Sequence, residues 1–344
     1  MKRSLRLSSV LAVLVLSSGL FAQSPESLMM QGNEMMQRGA FDQAVTHFQR
    51  LVQMQPNNFE AQYNLALAYL GWGRHSQAID NFLKATRLRP NSSHAWSNLA
   101  VAYQNMGRTN DAVNALNRAV RADPSNVTAR INLASMYAAT GKNNQAIQEY
   151  LAIVNGGHRE SGVLLNLAKC LITANRIEDA KKYLRDAIAA DPNNVEARYE
   201  LADIFWRLEK DPAKAINELN LAISVRPDVG GLYDQLAVIY ESEGKKKEAV
   251  EQLKKALIFT TSMVDKERLQ ARIDRLEGRN VQQTAPSGPA RQMQQMKRDE
   301  PAAATRRTTT PVQPVNVDFG SLLGDENDDT PKSSDPMGDM MKRR

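Results

Sequence analysis

The sequence of 344 residues has one cysteine, few aromatic residues and no block of basic residues. The single cysteine, Cys170, excludes an internal disulfide and any zinc site built on several cysteines. Aromatic residues form only 6% of the chain, which favours helices packed on small side chains over a β-sandwich. Because the net charge of +6 is not gathered into a basic block, we expect no nucleic-acid partner.

Residues 1–22 have the pattern of a secretory signal peptide. Lys2, Arg3 and Arg6 precede a short apolar stretch, and the small residue Ala22 suits the position before the cut. An uncleaved N-terminal anchor is the alternative, and only this alternative would attach the protein to a membrane. Both interpretations predict that the rest of the chain is exported, to the periplasm or out of the cell.

Residues 25–263 repeat with a period of 34 residues. Within each block, position 7 is mostly leucine, position 8 mostly alanine, position 11 often aromatic and position 20 alanine. This spacing predicts two helices per block, which approach each other closely on small side chains. The seven blocks are 25–58, 59–92, 93–126, 127–160, 161–194, 195–229 and 230–263.

Turn residues fall between the predicted helices. Glycine at position 15 predicts the end of the first helix, and proline at position 32 the end of the second. The fifth block has Asn175 instead of glycine. The sixth block keeps the frame only if one inserted residue is allowed near Asp211 and Pro212.

This pattern resembles the tetratricopeptide repeat family, because period, small residues, aromatic position and proline all agree. The resemblance implies an all-α fold, a right-handed superhelical solenoid of about seven helix hairpins with Cys170 buried inside. Residues 262–279 form the predicted capping helix, with Leu269 and Ile273 on its apolar side. Residues 280–344 contain half of the chain's 14 prolines and predict a disordered tail.

No motif for catalysis is present in the sequence. The four histidines occupy different positions in separate repeats, which argues against a metal site. The neighbouring carboxylates Glu200 and Asp203 fit a charged surface exposed to solvent better than acid–base catalysis. We therefore expect no enzymatic activity, no metal and no cofactor.

The first helices of a stacked hairpin array line its inner, concave face. Position 6 on this face is asparagine in four successive blocks, which is similar to the asparagine ladder in the repeat region of O-GlcNAc transferases. An asparagine amide can pair with both polar groups of a peptide backbone. The alternative is that asparagine is only the family's common residue at this position. The candidate peptide-binding residues are Asn64, Asn98, Asn132 and Asn166, with Asn33, Tyr63, Gln104, Tyr199 and Trp206 nearby on the inner face.

The sequence predicts an exported scaffold or adaptor that binds a protein or peptide segment in this groove. One alternative is a self-assembling structural protein of the envelope, with Met29, Met30, Met35 and Met36 as an adaptable surface. A second alternative is an accessory subunit that presents a substrate to a separate enzyme.

Overall fold

The structure is a computed structural model and describes residues 24–279. The predictions of a signal peptide at residues 1–22 and of a disordered tail at residues 280–344 lie outside this range. Every regular element between residues 24 and 279 is helical, which confirms the all-α class.

Seven helix hairpins follow one another in the described residues, and a single helix comes after them, as predicted. The first helices of the hairpins are α1 Pro25–Gln37, α3 Phe59–Gly71, α5 Ser93–Asn105, α7 Val127–Ala139, α9 Ser161–Thr173, α11 Val195–Asp203 and α13 Gly230–Ser242. The second helices are α2 Phe41–Met54, α4 His75–Leu88, α6 Thr109–Ala122, α8 Asn143–Asn155, α10 Ile177–Ala190, α12 Pro212–Val225 and α14 Lys246–Phe259. The last helix is α15 Met263–Leu276.

The described residues divide into two compact units, with the division between Ala129 and Arg130 inside α7. In the first unit, each of the helices α1 to α5 packs on the next helix in sequence, and the first helices α3 and α5 also touch. In the second unit, α8 to α15 pack in the same order, and α9 touches α11. None of the helices between residues 24 and 279 is long and apolar enough to cross a membrane.

The small residues of the repeat lie in the packed interior between helices. The position-20 alanines Ala78 and Ala112 are fully buried. In the first block, Gly32 stands at position 8, and a Cβ atom there would lie 2.6 Å from Cζ of Phe48. A side chain at Gly32 would therefore push α1 and α2 apart.

The first helices end at residues with a positive φ angle. The position-15 glycines have φ between 70° and 74°; they are Gly39, Gly73, Gly107, Gly141 and Gly244. In the fifth hairpin Asn175 takes this conformation with φ of 59°, and asparagine tolerates it better than most residues. In the sixth hairpin Lys210 takes it with φ of 56°, at a cost that glycine would not incur.

The sixth first helix contains the inserted residue. Helix α11 continues directly into a π-helix at Ile204–Leu208. Because a π-helix closes hydrogen bonds between residues i and i+5, its turn holds one residue more than an α-helical turn. The structure places the extra residue in this π-helix, a few residues before Asp211 and Pro212, where the sequence places it, and Pro212 begins α12.

Candidate functional site

In the first unit, the position-6 asparagines connect neighbouring hairpins. Asn98 Nδ2 on α5 donates a hydrogen bond of 2.8 Å to Oη of Tyr63 on α3. Asn64 Nδ2 on α3 lies 3.1 Å from Sδ of Met29 on α1 in the corresponding arrangement. Both asparagines thus contact position 5 of the preceding block. Tyr63 is 2% exposed and Asn98 is 6% exposed, so this pair lies inside the unit.

A cavity of about 840 Å³ opens beside α1 in the first unit. Met29, Met30 and Leu51 supply apolar parts of its lining, and Asn33 is among the polar residues. The Asn33 Oδ1 atom is buried and accepts no hydrogen bond from any described residue. Met36 is only 4% exposed, so this methionine belongs to the core and not to the adaptable surface predicted from the sequence.

Gln104 is the remaining candidate in the first unit. It lies on α5 and is half-buried. No contact joins Gln104 to Asn33, Tyr63 or Asn64 among the hydrogen bonds of the described residues. Among the candidates of the first unit, the hydrogen bonds of the described residues therefore connect Asn98 with Tyr63.

In the second unit, the position-6 column has four members: Asn132, Asn166, Glu200 and Gln235. Asn132 is buried, with 7% of its surface exposed. Asn166 is half-buried, and its side chain hydrogen-bonds the hydroxyl of Tyr150. Burial raises the pKa of Tyr150 to about 12, and the hydrogen bonds to Asn166 and Ser135 oppose this rise.

Glu200 is a half-buried carboxylate on α11 that forms no hydrogen bond or ion pair with any described residue. Burial raises its pKa above the ordinary value near 4.5; Lys169 lowers the pKa, and Asp203 raises it further. Lys169 is itself ion-paired with Glu196. Glu200 therefore differs from Asp203, which is also half-buried but is ion-paired with Arg207 at 2.6 Å.

Aromatic and amide groups lie on the same first helices. Tyr199 on α11 and Trp206 in the π-helix are both half-buried. Burial raises the pKa of Tyr199, and the charges of Asp203 and Glu200 raise it further. On α13, Gln235 is only 9% exposed, and its Nε2 atom donates no hydrogen bond to any described residue. The second unit thus holds an acceptor and a donor without partners.

Sequence reasoning missed Glu200 and Gln235 as candidate site residues. The signal was present, because counting position 6 beyond Asn166 reaches first Glu200 and then Gln235. The run of asparagines at position 6 ends at Asn166, because the residue type changes in the next block. A column of polar residues, whatever their type, would have been the better pattern.

The cysteine is placed as predicted. Cys170 on α9 is 4% exposed, and burial raises the pKa of its thiol to about 11. A thiol in this state is mostly protonated at neutral pH and reacts slowly. Within residues 24–279, no three His, Cys, Asp or Glu side chains are grouped so that they could hold a metal ion.

Family models match most of the repeat region. The model described as Cilia and flagella-associated protein 70 C-terminal domain matches residues 11–224. The model described as Tetratricopeptide repeat matches residues 231–257. No curated protein matches the chain.

Solved tetratricopeptide repeat structures have a similar fold. The C-terminal part of a TPR repeat-containing protein from Cytophaga hutchinsonii is 14% identical with a TM-score of 0.62, covering 71% of this chain and 99% of that chain. A tetratricopeptide repeat protein from Parabacteroides merdae is 17% identical with a TM-score of 0.52, covering 73% of this chain and 99% of that chain. At these identities the likeness concerns the fold alone. The chain belongs to the tetratricopeptide repeat family, and over residues 11–224 it matches the family of the Cilia and flagella-associated protein 70 C-terminal domain.

Proposed function

We propose that this protein is an exported scaffold that binds a protein segment along the first helices of its second unit and catalyses no reaction. The observation that carries the proposal is Glu200, a half-buried carboxylate without a counter-charge of its own. Burying an ion without a partner costs free energy, and a cation that arrives with a ligand offsets this cost. Perturbed ionisable groups of this kind concentrate at functional sites.

The chemistry around Glu200 fits a basic side chain of the partner. A lysine or arginine would supply the missing positive charge. The half-buried ring of Tyr199 offers apolar surface to the methylene groups of that side chain. The guanidinium of Arg207 lies 5.2 Å from the ring centroid of Trp206, so a basic side chain of the partner would compete with Arg207 for that ring. We therefore propose an extended protein segment with at least one basic residue as the ligand class.

The asparagines at position 6 contribute less to the proposed binding than the sequence predicts. Asn98 is buried, and its amide group is already bonded to Tyr63. Asn64 and Asn166 are half-buried and stay candidates for contact with a peptide backbone. Recognition in the proposal depends first on Glu200.

Selection of peptides from a random phage-displayed library tests the binding proposal. The baits are the wild-type protein, Glu200→Gln, and the matched control Glu248→Gln, which removes an exposed glutamate from the second helix α14. We expect the wild type and Glu248→Gln to enrich lysine and arginine beside apolar residues. For a selected peptide, Glu200→Gln should weaken binding by about 30-fold or more, because removing one member of a buried charge pair costs about 2–5 kcal/mol.

Two results would contradict the binding proposal. One is a wild-type selection without enrichment of basic residues. The other is equal affinity of the selected peptides for wild type and Glu200→Gln.

Export is tested independently of binding. Cells that express residues 1–344 are fractionated, and the N-terminus of the mature protein is determined by mass spectrometry. We expect a chain that begins at Gln23 in the envelope or extracellular fraction, because Ala22 suits the cleavage site. An intact N-terminus in the cytoplasmic fraction would refute export.

A further inference from the structure

Four basic residues on the second helices α4 and α6 of the first unit form a basic patch. Lys84 and Arg87 occupy positions 26 and 29 of the second block, and Arg118 and Arg121 occupy the same positions of the third block. All four side chains are exposed. Because residues three apart lie on one face of a helix, the two basic residues of each helix lie on the same side of it.

Contacts through the intervening helix α5 connect the two halves of the basic patch. The guanidinium of Arg118 lies 4.9 Å from the ring centroid of Trp96 on α5. Trp96 Nε1 donates a hydrogen bond of 2.8 Å to the carbonyl oxygen of Pro90, just after the end of α4. Leu88, the last residue of α4, is 39% exposed and adds an apolar side chain next to Arg87.

The charges of the basic patch are only partly neutralised by the described residues. None of its four side chains forms an ion pair within residues 24–279. Among the carboxylates of α4 and α6, Asp111 is already ion-paired with Arg108 at 2.8 Å. Asp80 on α4 and Asp123 at the C-cap of α6 are the remaining carboxylates there, and they offset two of the four positive charges. The basic patch therefore stays net positive and suits an anionic ligand.

A segment of opposite charge occurs in the C-terminal part of the sequence, outside the described residues. Residues 308–331 contain five acidic residues and no basic residue. Four of the acidic residues fall within 325–329, and apolar residues such as Val317, Phe319 and Leu322 precede them. The segment therefore offers carboxylates to the basic patch and apolar side chains to Leu88.

We propose that residues 308–331 dock on the basic patch of the same chain, with the carboxylates of residues 325–329 against its four basic side chains. The 28 residues from 280 to 307 can span about 90 Å when extended. A tether of this kind raises the effective concentration of the segment to about the millimolar range. Such a concentration compensates for the small contribution of each exposed ion pair. This inference goes beyond the proposed binding of a protein segment and uses none of its residues, so either can fail alone.

Zero-length coupling with a carbodiimide, in protein expressed from residues 1–344, tests the proposal. The reagent joins a carboxylate to a lysine amine only where the two groups touch, and mass spectrometry of the monomer identifies the joined residues. We expect Lys84 to couple with the carboxylates of residues 325–329. Lys182 is the internal reference, because it is also exposed and forms no ion pair with a described residue. The yield at Lys84 should exceed the yield at Lys182 by about tenfold or more.

A charge-reversal variant decides whether the basic patch directs this coupling. Arg87→Glu with Arg121→Glu keeps the amine of Lys84 but turns two attractive charges into repulsive ones. We expect coupling at Lys84 to fall by about tenfold or more in this variant. The matched control is Lys246→Glu with Lys247→Glu, which makes the same change of charge on exposed residues of α14 and should couple like the wild type.

Four results would overturn the proposal. The first is equal coupling at Lys84 and Lys182 in the wild type. The second is unchanged coupling at Lys84 after Arg87→Glu with Arg121→Glu. The third is an equal loss in the matched control, and the fourth is coupling of Lys84 that occurs only between two chains.

Discussion

The side-chain amide of Asn98 donates a hydrogen bond of 2.8 Å to the hydroxyl of Tyr63, and this buried pair joins two neighbouring hairpins. The same column of the repeat reaches Glu200 in the second unit, where the side chain has no partner among residues 24–279. Position 6 of the repeat therefore holds neighbouring hairpins together in the first unit, through Asn98. We propose that the same position contacts a bound protein segment in the second unit, through Glu200.

Removing the Tyr63 hydroxyl should destabilise the first unit. In Tyr63→Phe the buried amide of Asn98 loses its acceptor, which we expect to lower the free energy of unfolding by about 1–3 kcal/mol. Urea unfolding followed by circular dichroism measures the change. Tyr69→Phe is the control, because Tyr69 accepts a hydrogen bond of 2.7 Å from Gln49 at the exposed surface. Equal losses in both variants would contradict the role of burial.

Glu200→Gln should be more stable than wild type near neutral pH. Burial raises the pKa of Glu200, so the folded chain holds this proton more tightly than the unfolded chain does. The resulting stability is complete below the ordinary pKa near 4.5 and is lost as pH rises through the raised pKa. Thermal melting should show an advantage for Glu200→Gln that shrinks towards about pH 4. A less stable variant at neutral pH would mean that charged Glu200 stabilises the fold.

Gly32→Ala should separate the helices of the first hairpin. The new methyl group would meet the ring of Phe48, and we expect a loss of about 1–3 kcal/mol in the free energy of unfolding. Gly162→Ala is the control in α9, where nothing lies within 4 Å of the added atom. This control should gain up to about 1 kcal/mol from helix propensity. Chemical denaturation compares the two, and an unchanged Gly32→Ala would show that the ring moves aside freely.

Native Cys170 should react slowly with alkylating reagents. Burial raises the pKa of the thiol to about 11, so very little thiolate forms at neutral pH. At about pH 8 we expect labelling by iodoacetamide to be about a hundredfold slower than in the denatured chain. Mass spectrometry of timed samples with and without urea gives both rates. Similar rates would show that the buried site opens often.

Lys210→Gly should stabilise the sixth hairpin. Lys210 has a φ of 56°, a conformation that costs an ordinary side chain about 1–2 kcal/mol. Part of the gain is lost because glycine makes the unfolded chain more flexible. We expect a net gain of about 0.5–1 kcal/mol, with a smaller gain for Asn175→Gly, because asparagine tolerates this conformation. Thermal melting of both variants checks this reasoning. A larger rise in melting temperature for Asn175→Gly than for Lys210→Gly would contradict it.

Most of the fold could be predicted from the sequence, because the same pattern of small residues and turn residues recurs in seven blocks. Alanine at position 20 and glycine at position 15 each have one physical role, and the structure shows both. The place of the insertion could not be predicted. An extra residue anywhere between residues 204 and 212 would bring the sixth block back into register with the 34-residue repeat. Only the helix geometry shows that this residue lies in the π-helix.

The candidate site was predictable in part. The polar column on the first helices is visible from spacing, but its contacts are not, since Asn98 and Tyr63 are 35 residues apart in sequence. The spacing of Glu200 and Asp203 is the same on a solvated helix as on a buried one. Whether a carboxylate has a partner depends on packing that no single repeat determines. Met36 shows the same limit, because periodicity did not separate it from the exposed Met30.

The π-helix confines a change of chain length to a single turn. Beyond it, Gly244 and Ala249 again stand at positions 15 and 20, so the seventh hairpin keeps the phase of the others. A gain or loss of one residue at this place leaves the surfaces before and after it unshifted. Trp206 lies within the extra turn, so its orientation can change without disturbing the rest of the array. The sixth hairpin therefore accommodates one extra residue while the repeat positions of the seventh hairpin stay in phase.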